Sequence, residues 1–425
     1  MKILLKGNNL ASWMIALALQ QYKQLKVTVT GKPEQPCYPA VVSALPLFKT
    51  VIAQCSIDQN VFFNFMQPRP LLALQLASIE EHFPKWCAFS NYGAPLGPVK
   101  FHEIFSKLHL NNNNIGSYSD FSLAIQLAKQ GKFSPPVDDI NSPFSTFDVG
   151  YIFDTAQLLL FCQKQCRQVA CSPSVQYEND FDLIIDSAAI NNNNEKVQGL
   201  TWQELTKPNN SDKFSKQIKQ VEDGIYTSIF SNNGVKNCQL IYHSVEANST
   251  SSMLIKYAKN AIKTSVIELQ KLQSETQKSG AQTKVVEVPQ DWRHPCSILS
   301  PLDFICAFIS GLLKYFPSDN KHSSLLYRHY SQISDSLLDF ESLVKDLLLN
   351  NDDNPLLKHY LATSSIPERE LSWIHPDWYI GALLEFNKTP KMETPLARQA
   401  PMARCITLHQ QVKMVFQRIL TNLSL

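Results

Sequence analysis

Apolar and polar positions change their spacing twice within the first thirty residues. Lys2–Leu5 is a short apolar run of the kind that forms a buried strand. From Leu10 to Gln21 the apolar residues recur at helical spacing, and Lys26–Thr30 alternates as a second strand would. A strand, a turn, a helix and a strand in this order predict a βαβ unit and therefore a parallel sheet.

Later apolar runs extend this pattern along the chain. Further strands are predicted at Phe181–Asp186, Cys238–Ser244 and Lys284–Val288. From Pro301 onward the periodicity is helical, over Pro301–Phe316, Ser323–Asn350 and a stretch near Trp378–Phe386. Two asparagine tetrads, residues 111–114 and 191–194, are interpreted as solvated loops. The order of elements predicts an α/β body followed by a helical C-terminal region.

Composition and charge narrow the class of protein and its partners. Apolar residues make up 44% of the 425 and charged residues 18%, which excludes disorder as the overall state. The net charge of +2 gives no global field that would hold nucleic acid or an anionic membrane. The longest apolar stretch, Leu302–Phe316, contains Asp303 and Lys314 and is shorter than the roughly 20 residues of a membrane span. We therefore expect a cytoplasmic protein without nucleic-acid or membrane partners.

The ten cysteines include no CxxC pair. This spacing favours buried thiols in a reducing compartment and argues against a metal site.

Glycine is scarce. The chain has 13 glycines but 28 asparagines, so glycine accounts for about 3% of residues where about 7% is usual. A fold that brings its backbone close to phosphate groups normally uses glycine for that purpose. The shortage argues against nucleotide binding.

The turn between the first strand and helix has the right context for a dinucleotide fingerprint, because helix amides follow a buried strand directly. Of the three glycine positions in such a fingerprint only Gly7 is kept, and Asn9 and Ser12 occupy the other two. The acid expected after the second strand is replaced by Thr30-Gly31-Lys32, with Glu34 the nearest substitute. The order of strand, turn and helix therefore favours dinucleotide binding, whereas the residues at the glycine and acid positions argue against it.

A resemblance to a known family begins at this turn. Residues Gly7–Met14 resemble the glycine-rich turn of the flavin-dependent tryptophan halogenases, where such a turn runs directly into Trp-Met. Other segments resemble that family in the same order, namely Phe153–Cys166, Phe181–Ala188, Leu299–Pro317, Asp339-Phe340, Asp352–Pro355 and Pro376–Gly381. Together they span nearly the whole chain and identify it as a divergent relative.

The resemblance implies a fold, a cofactor and partners. The fold would be α/β, with a Rossmann-like FAD-binding body of the flavin monooxygenase/halogenase type and a helical C-terminal part. We expect the body at residues 1–320, with inserted substrate-side segments at about 40–145 and 200–280, and the helical region at 321–425. FAD, a flavin reductase as partner and an aromatic or peptide-bound substrate are implied in the same way.

The resemblance also implies functional residues. FAD would be bound by residues of the first turn and by the pair that replaces the family's ribityl-contacting Gly-Asp, which gives Gly7, Asn9, Ser12, Trp13, Arg293 and His294. Asp303 stands where the family has its catalytic glutamate and is the candidate catalytic residue. Each has a plainer interpretation: Asp303 as a helix-start acid, Trp13 as core, and Arg293 with His294 as solvated surface.

Other family motifs are lost. Ser90 or Asn91 stands where the halogenases have their lysine, and neither side chain can form a haloamine or carry a positive charge. The Trp-x-Trp-x-Ile-Pro signature corresponds to Ile225–Phe230, without tryptophan or proline. The sequence therefore argues against halogenation.

Three hypotheses for function remain open. The first is an oxidoreductase of the halogenase-like family, an FAD-dependent monooxygenase or oxidase that is not a true halogenase. The second is a degenerate homologue that keeps the fold, binds no flavin and serves as an accessory or binding protein. The third is an unrelated α/β enzyme. The shape of the first turn separates the first two: a space wide enough for pyrophosphate favours the enzyme, and side chains of Asn8, Asn9 or Ser12 filling it favour the degenerate homologue.

Overall fold

The computed structural model describes most of the chain. The described residues are 1–22, 24–33, 41–79, 83–111, 115–175, 177–188, 196–222, 224–231, 235–242, 258, 261–270, 285–289, 298–318 and 320–423.

Strands and helices are numbered here in chain order. The strands are β1 (Lys2–Asn8), β2 (Lys26–Pro33), β3 (Val41–Ala44), β4 (Arg69–Leu71), β5 (Ala73–Ala77), β6 (Lys85–Ala88), β7 (Gly150–Asp154), β8 (Ala170–Ser172), β9 (Leu183–Asp186), β10 (Lys196–Leu205), β11 (Ser215–Val221), β12 (Gly224–Phe230), β13 (Val235–Tyr242), β14 (Ala261–Gln270) and β15 (Val285–Glu287). The helices are α1 (Leu10–Leu19), α2 (Phe48–Gln54), α3 (Gln59–Met66), α4 (Phe101–Leu110), α5 (Leu123–Lys129), α6 (Thr155–Gln165), α7 (Pro301–Lys314), α8 (Asn320–Leu348), α9 (Pro355–Thr363), α10 (Pro376–Glu385), α11 (Pro395–Gln399) and α12 (Met402–Asn422).

The chain divides into two compact units, each assembled from three separate segments. The first comprises residues 1–69, 151–205 and 231–335, and the second comprises 70–150, 206–230 and 336–425. The division into domains 1–320 and 321–425, drawn from the sequence alone, stays a prediction.

A five-stranded sheet organises the first unit. Its order is β15–β9–β1–β2–β8, and every neighbouring pair is parallel. Strand β1 is central, with Ile3 aligned to Val27 on one side and to Leu183 on the other. The predicted βαβ unit and parallel sheet are confirmed.

Helix α1 forms the apolar centre of this unit. All ten of its residues are buried, and it packs against α6 and α7. A helix that is buried on every side needs no amphipathic pattern, which accounts for the run Leu10–Leu19 having no charged residue. Strands β10, β13 and β14 of the same unit pair in antiparallel fashion, as do β3 and β7.

The second unit also combines parallel and antiparallel strand pairs with helices. Strands β12, β11, β5 and β6 are neighbours in that order, with β11 and β5 parallel and the other pairs antiparallel. Its helices bury large aromatic side chains, among them Phe121 and Tyr360, which are fully enclosed.

Most elements lie where the sequence predicts them. Helix α7 begins at Pro301 as expected, and the C-terminal part is helical. Strand β13 begins at Val235, three residues before the predicted start at Cys238, and ends at Tyr242. Both asparagine tetrads lie outside the described residues, apart from Asn111.

Candidate functional site

The turn after β1 contains one glycine that the backbone requires. Gly7 has φ of +102°, and a Cβ at this position would lie 2.6 Å from Ser187 Oγ and 2.9 Å from Asn9 Nδ2. A side chain here would be strained and would collide with its neighbours. Gly7 therefore fixes the path by which β1 approaches α1.

Asn9 caps the helix that follows. Its backbone is extended, with φ of −133° and ψ of 176°, and its Oδ1 accepts a hydrogen bond from the Ser12 amide at 3.0 Å. This is the usual role of asparagine at the residue before a helix. One of the amides that a phosphate group could use at the start of α1 is thus already bonded to a side chain of this chain.

Ser12 and Ser187 close the turn from two directions. Their hydroxyl oxygens lie 2.7 Å apart. The single proton of Ser187 Oγ has two acceptors within hydrogen-bond distance, Lys6 O at 2.9 Å and Asn9 Oδ1 at 3.1 Å. Both serines are 1% exposed and Asn9 is 3% exposed. Side chains from α1 and from the end of β9 therefore fill the turn and satisfy one another.

Trp13 is buried and serves the same network. Its indole Nε1 donates to Asn8 Oδ1 at 2.8 Å, and Asn8 Nδ2 donates to Gly31 O at 3.3 Å. These two hydrogen bonds connect α1, through the Asn8 side chain, to the end of β2. Trp13 is 5% exposed, so its indole is part of the core of this unit.

Within the described residues, the end of β2 has no acid that could accept a hydrogen bond from a ribose hydroxyl. Gly31 has φ of +125°, and a Cβ there would lie 3.3 Å from the Asn8 amide nitrogen. Glu34, the nearest acid in sequence, lies outside the described residues.

These contacts test whether a dinucleotide fits the turn. A pyrophosphate at the start of α1 would have to displace the Asn9 side chain from the Ser12 amide. The Ser12–Ser187 contact lies at the third fingerprint position, where the helix packs on the strand. The residues of the turn, in this arrangement, do not fit the phosphates of FAD.

Asp303 lies at the start of α7 with its carboxylate engaged by backbone amides. Oδ2 accepts from Ser300 N at 2.9 Å, and Oδ1 accepts from Leu45 N at 2.8 Å. Ser300 in turn caps the helix through its own hydroxyl, which completes a capping box ahead of Pro301. Asp303 is 4% exposed. Its contacts tie the start of α7 to the segment that precedes α2, while its catalytic role stays a prediction.

Arg293 and His294 lie outside the described residues, so their predicted contact with the cofactor stays a prediction.

The two residues that the resemblance puts at the family's lysine position, Ser90 and Asn91, both lie in the second unit. Ser90 is 3% exposed, and its Oγ lies 2.7 Å from Ser122 Oγ. Ser122 accepts from the Ile125 amide at 3.3 Å and so caps α5. Asn91, the alternative position, is exposed. Residues 225–230, which the resemblance aligns with the family's tryptophan signature, lie in β12, where Ile225, Ile229 and Phe230 are buried.

The sequence analysis names Asn8 as a side chain that could fill the turn, but it does not assign Ser187 to the candidate site. Ser187 follows an apolar strand far along the chain, and only the pairing of β1 with β9 brings it to the turn.

The cysteines of the described residues are buried thiols, with Cys171 the exception. Burial raises the pKa of Cys55 to about 12 and that of Cys166 to about 12. Thiols of this kind stay protonated and are poor nucleophiles. Within the described residues, no group of three or more metal-ligating side chains could hold an ion. No helix in that part of the chain is both long and apolar enough to cross a membrane.

Comparison with known proteins gives one family. The model of the tryptophan halogenase family matches residues 2–204. No curated protein matches the chain in sequence.

Solved structures share the fold of the whole chain at low identity. BrvH, a flavin-dependent halogenase from Brevundimonas sp. BAL3, superposes with a TM-score of 0.79 at 14% identity, over 99% of both chains. Xcc4156, a flavin-dependent halogenase from Xanthomonas campestris, gives a TM-score of 0.82 at 14% identity, over 99% of this chain and 96% of that one. A tryptophan halogenase from Shewanella frigidimarina gives 0.74 at 13% identity, over 99% and 95%. The expected α/β fold with a helical C-terminal part is confirmed.

Proposed function

This chain is a divergent member of the tryptophan halogenase family, matched over residues 2–204, and on that premise we propose that it keeps the family's fold but binds no FAD. It would then serve as an accessory or binding protein for an aromatic or peptide-bound ligand, without the chemistry of the flavin.

One observation carries this proposal: the turn at the start of α1 is filled and satisfied by its own side chains. The Ser12 amide donates a hydrogen bond to Asn9 Oδ1 at 3.0 Å. The hydroxyl oxygens of Ser12 and Ser187 lie 2.7 Å apart and are hydrogen-bonded to each other. Losing a helix cap costs about 0.5–2 kcal/mol, and leaving a buried hydroxyl without a partner costs about 1–3 kcal/mol. FAD that displaced the Asn9 cap would have to offset about 0.5–2 kcal/mol, which is roughly a twofold to thirtyfold loss of affinity, and a ligand that also separated the two serines would lose more.

The direct test is a flavin titration of the purified protein. After incubation with excess FAD and gel filtration, we expect a colourless protein without the flavin absorbance band. A yellow protein that retains one FAD per chain would overturn the proposal. Anaerobic incubation with reduced FAD covers the reduced cofactor, with the absorbance read after gel filtration and reoxidation in air, because reduced flavin lacks the band.

A second place in the fold supports the proposed loss of halogenation. The resemblance puts Ser90 or Asn91 at the position of the family's lysine; neither is charged, and Ser90 is buried against Ser122. With reduced FAD, oxygen and chloride, we expect mass spectrometry to find no chlorinated product from tryptophan or a tryptophan-containing peptide. A chlorinated product would contradict this expectation.

A flavin-dependent monooxygenase or oxidase is the second candidate. It is favoured by the retained framework, because Gly7 keeps a left-handed backbone at the end of a central parallel strand and α1 follows directly. This candidate requires retained flavin in the titration, together with an oxygenated or oxidised product in place of a chlorinated one. A flavin reductase would then be its partner.

A further inference from the structure

Two lysines stand side by side at the start of the parallel sheet. Lys2 begins β1 and Lys26 begins β2, and the two residues are direct partners in the parallel register. Both are exposed. Like charges at directly paired positions of neighbouring strands repel each other. The pair therefore concentrates positive charge at one point of the sheet.

A cavity adjoins these lysines. Its volume is about 430 Å³, and it is lined by Lys2, Lys26, Thr28, Val175, Tyr177, Asp180 and Phe181. Thr28 lies two residues beyond Lys26 and so points to the same face of β2. The other lining residues belong to the segment that leads from β8 to β9. A volume of this size is in the range of small-molecule sites, about 300–1,000 Å³.

The acids of this region that the structure describes make other contacts than an ion pair with these lysines. Glu178 and Asp186 pair instead with Lys6, at 3.0 Å and 3.7 Å. The Asp182 carboxylate accepts a hydrogen bond from the Lys2 backbone amide at 2.7 Å. Among the described residues neither the Lys2 nor the Lys26 ammonium has an ion pair, and Asp180 is the one acid in the lining.

Tyr177 supplies a flat apolar surface beside this charge. It is 67% exposed, which is unusual for a large aromatic side chain. Within the described part of the chain its ring has no aromatic or cation contact. Exposed aromatic rings near cations are typical of sites that stack a ligand ring and hold its phosphate.

We propose that this cavity binds a small aromatic phosphomonoester, such as a nucleoside monophosphate. The phosphate would lie between the Lys2 and Lys26 ammonium groups, with the Thr28 hydroxyl as a further donor. The ring would stack on Tyr177, and Asp180 would accept a hydrogen bond from a hydroxyl or amino group of the ligand. This site is independent of the proposed loss of FAD, because the start of β1 lies roughly 20 Å from its end.

Calorimetric titration of the full chain tests the proposal, with adenosine 5′-monophosphate and phenyl phosphate as probes. We expect one molecule of each to bind per chain, and adenosine or inorganic phosphate alone to bind at least tenfold more weakly. Lys2→Gln and Lys26→Gln should each weaken binding of both probes by about tenfold to a hundredfold, since each removes a charge-assisted hydrogen bond. Tyr177→Ala should weaken both probes but leave inorganic phosphate unchanged.

Lys49→Gln is the matched control, because Lys49 is exposed on α2 and outside the cavity. It should bind both probes as the unsubstituted chain does. The proposal is overturned if neither probe binds, or if binding is unchanged in K2Q and K26Q. Inorganic phosphate binding as tightly as the aromatic probes would overturn the role of Tyr177. All variants lie at exposed positions, and their circular dichroism and melting temperatures should match, which separates lost binding from lost folding.

Discussion

Ser12 Oγ and Ser187 Oγ lie 2.7 Å apart, although 175 residues separate them in the chain. The contact joins the first turn of α1 to the residue after β9. Both hydroxyls are buried, so each depends on the other for part of its hydrogen bonding. At the position where a dinucleotide fold has glycine for close packing of helix on strand, this chain has two serines that bond to each other.

Replacing Ser187 by alanine should destabilise the first unit. The change removes the partner of the Ser12 hydroxyl and a hydrogen bond to Asn9 Oδ1, which should cost about 1–3 kcal/mol of the free energy of unfolding. Urea unfolding followed by circular dichroism measures this. Ser174→Ala, at an exposed serine, is the control and should change stability little. Equal stability of the two variants would show that the joint contributes nothing.

Opening the turn should restore some affinity for FAD. In the double variant Asn9→Gly with Ser12→Gly, the side chains that fill the turn are gone and the Ser12-position amide is released. Glycine at a helix cap costs only a few tenths of a kcal/mol, but Ser12→Gly costs about 1 kcal/mol more inside α1 and removes the contact with Ser187. Circular dichroism and the melting temperature establish that the variant is folded before flavin is added. Flavin fluorescence quenching should show binding at least tenfold tighter than in the unsubstituted chain.

The control for this variant is Asn141→Gly with Ser174→Gly, which makes the same chemical changes at exposed positions. It should bind FAD no better than the unsubstituted chain. If the turn variant folds and gains no affinity, the filled turn is not what excludes the cofactor.

The sequence predicts only part of the turn between β1 and α1, because some of its contacts are local in the chain and others join distant residues. Strand β1, helix α1 and strand β2 follow from local periodicity, and Asn9 and Ser12 are recognisable as departures from a glycine pattern. The capping of Ser12 by Asn9 is also local, since three residues separate them. The contact with Ser187 is not, because it depends on β1 and β9 becoming neighbours in the sheet.

Asp303 illustrates the same limit at the second candidate position. Its bond to the Ser300 amide follows from the order Ser-Pro-Leu-Asp, which predicts a capping box. Its bond to the Leu45 amide spans 258 residues and has no local signal. Because the sequence does not reveal this second bond, it leaves two interpretations of Asp303 open, a helix cap and a catalytic group.

Asp303→Asn should therefore lower stability. The asparagine side chain can present only one oxygen, so its NH2 group would face either the Ser300 or the Leu45 amide, and a hydrogen bond to a charged group would be lost. We expect a loss of about 1.5–3 kcal/mol in the free energy of unfolding by urea. Asp138→Asn, in an exposed loop, is the control. A purely catalytic Asp303 would leave the stability of D303N unchanged and would abolish a measured activity instead.

Buried histidines should make the protein less stable in acid. Burial lowers the pKa of His102, His329 and His409 below the ordinary value of 6.5, and nearby Lys314 lowers the pKa of His329 further. His329 is 7% exposed, and within the described residues its Nε2 has no hydrogen-bond partner. Protonation would thus place an unpaired charge in the core of the first unit.

The sign of the effect follows from proton binding. Below pH of about 6.5 the unfolded chain binds protons that the native state resists, so the free energy of unfolding falls as the pH decreases towards the lowered pKa values. Above that pH the three imidazoles are neutral in both states and their contribution is constant. Urea unfolding at a series of pH values between about 5 and 8 measures the slope. His329→Leu should reduce this slope, since it removes one titrating group from a buried place, whereas His109→Leu at an exposed position should leave it as in the unsubstituted chain. An unchanged slope in H329L would mean that His329 is protonated as easily in the native state as in the unfolded chain.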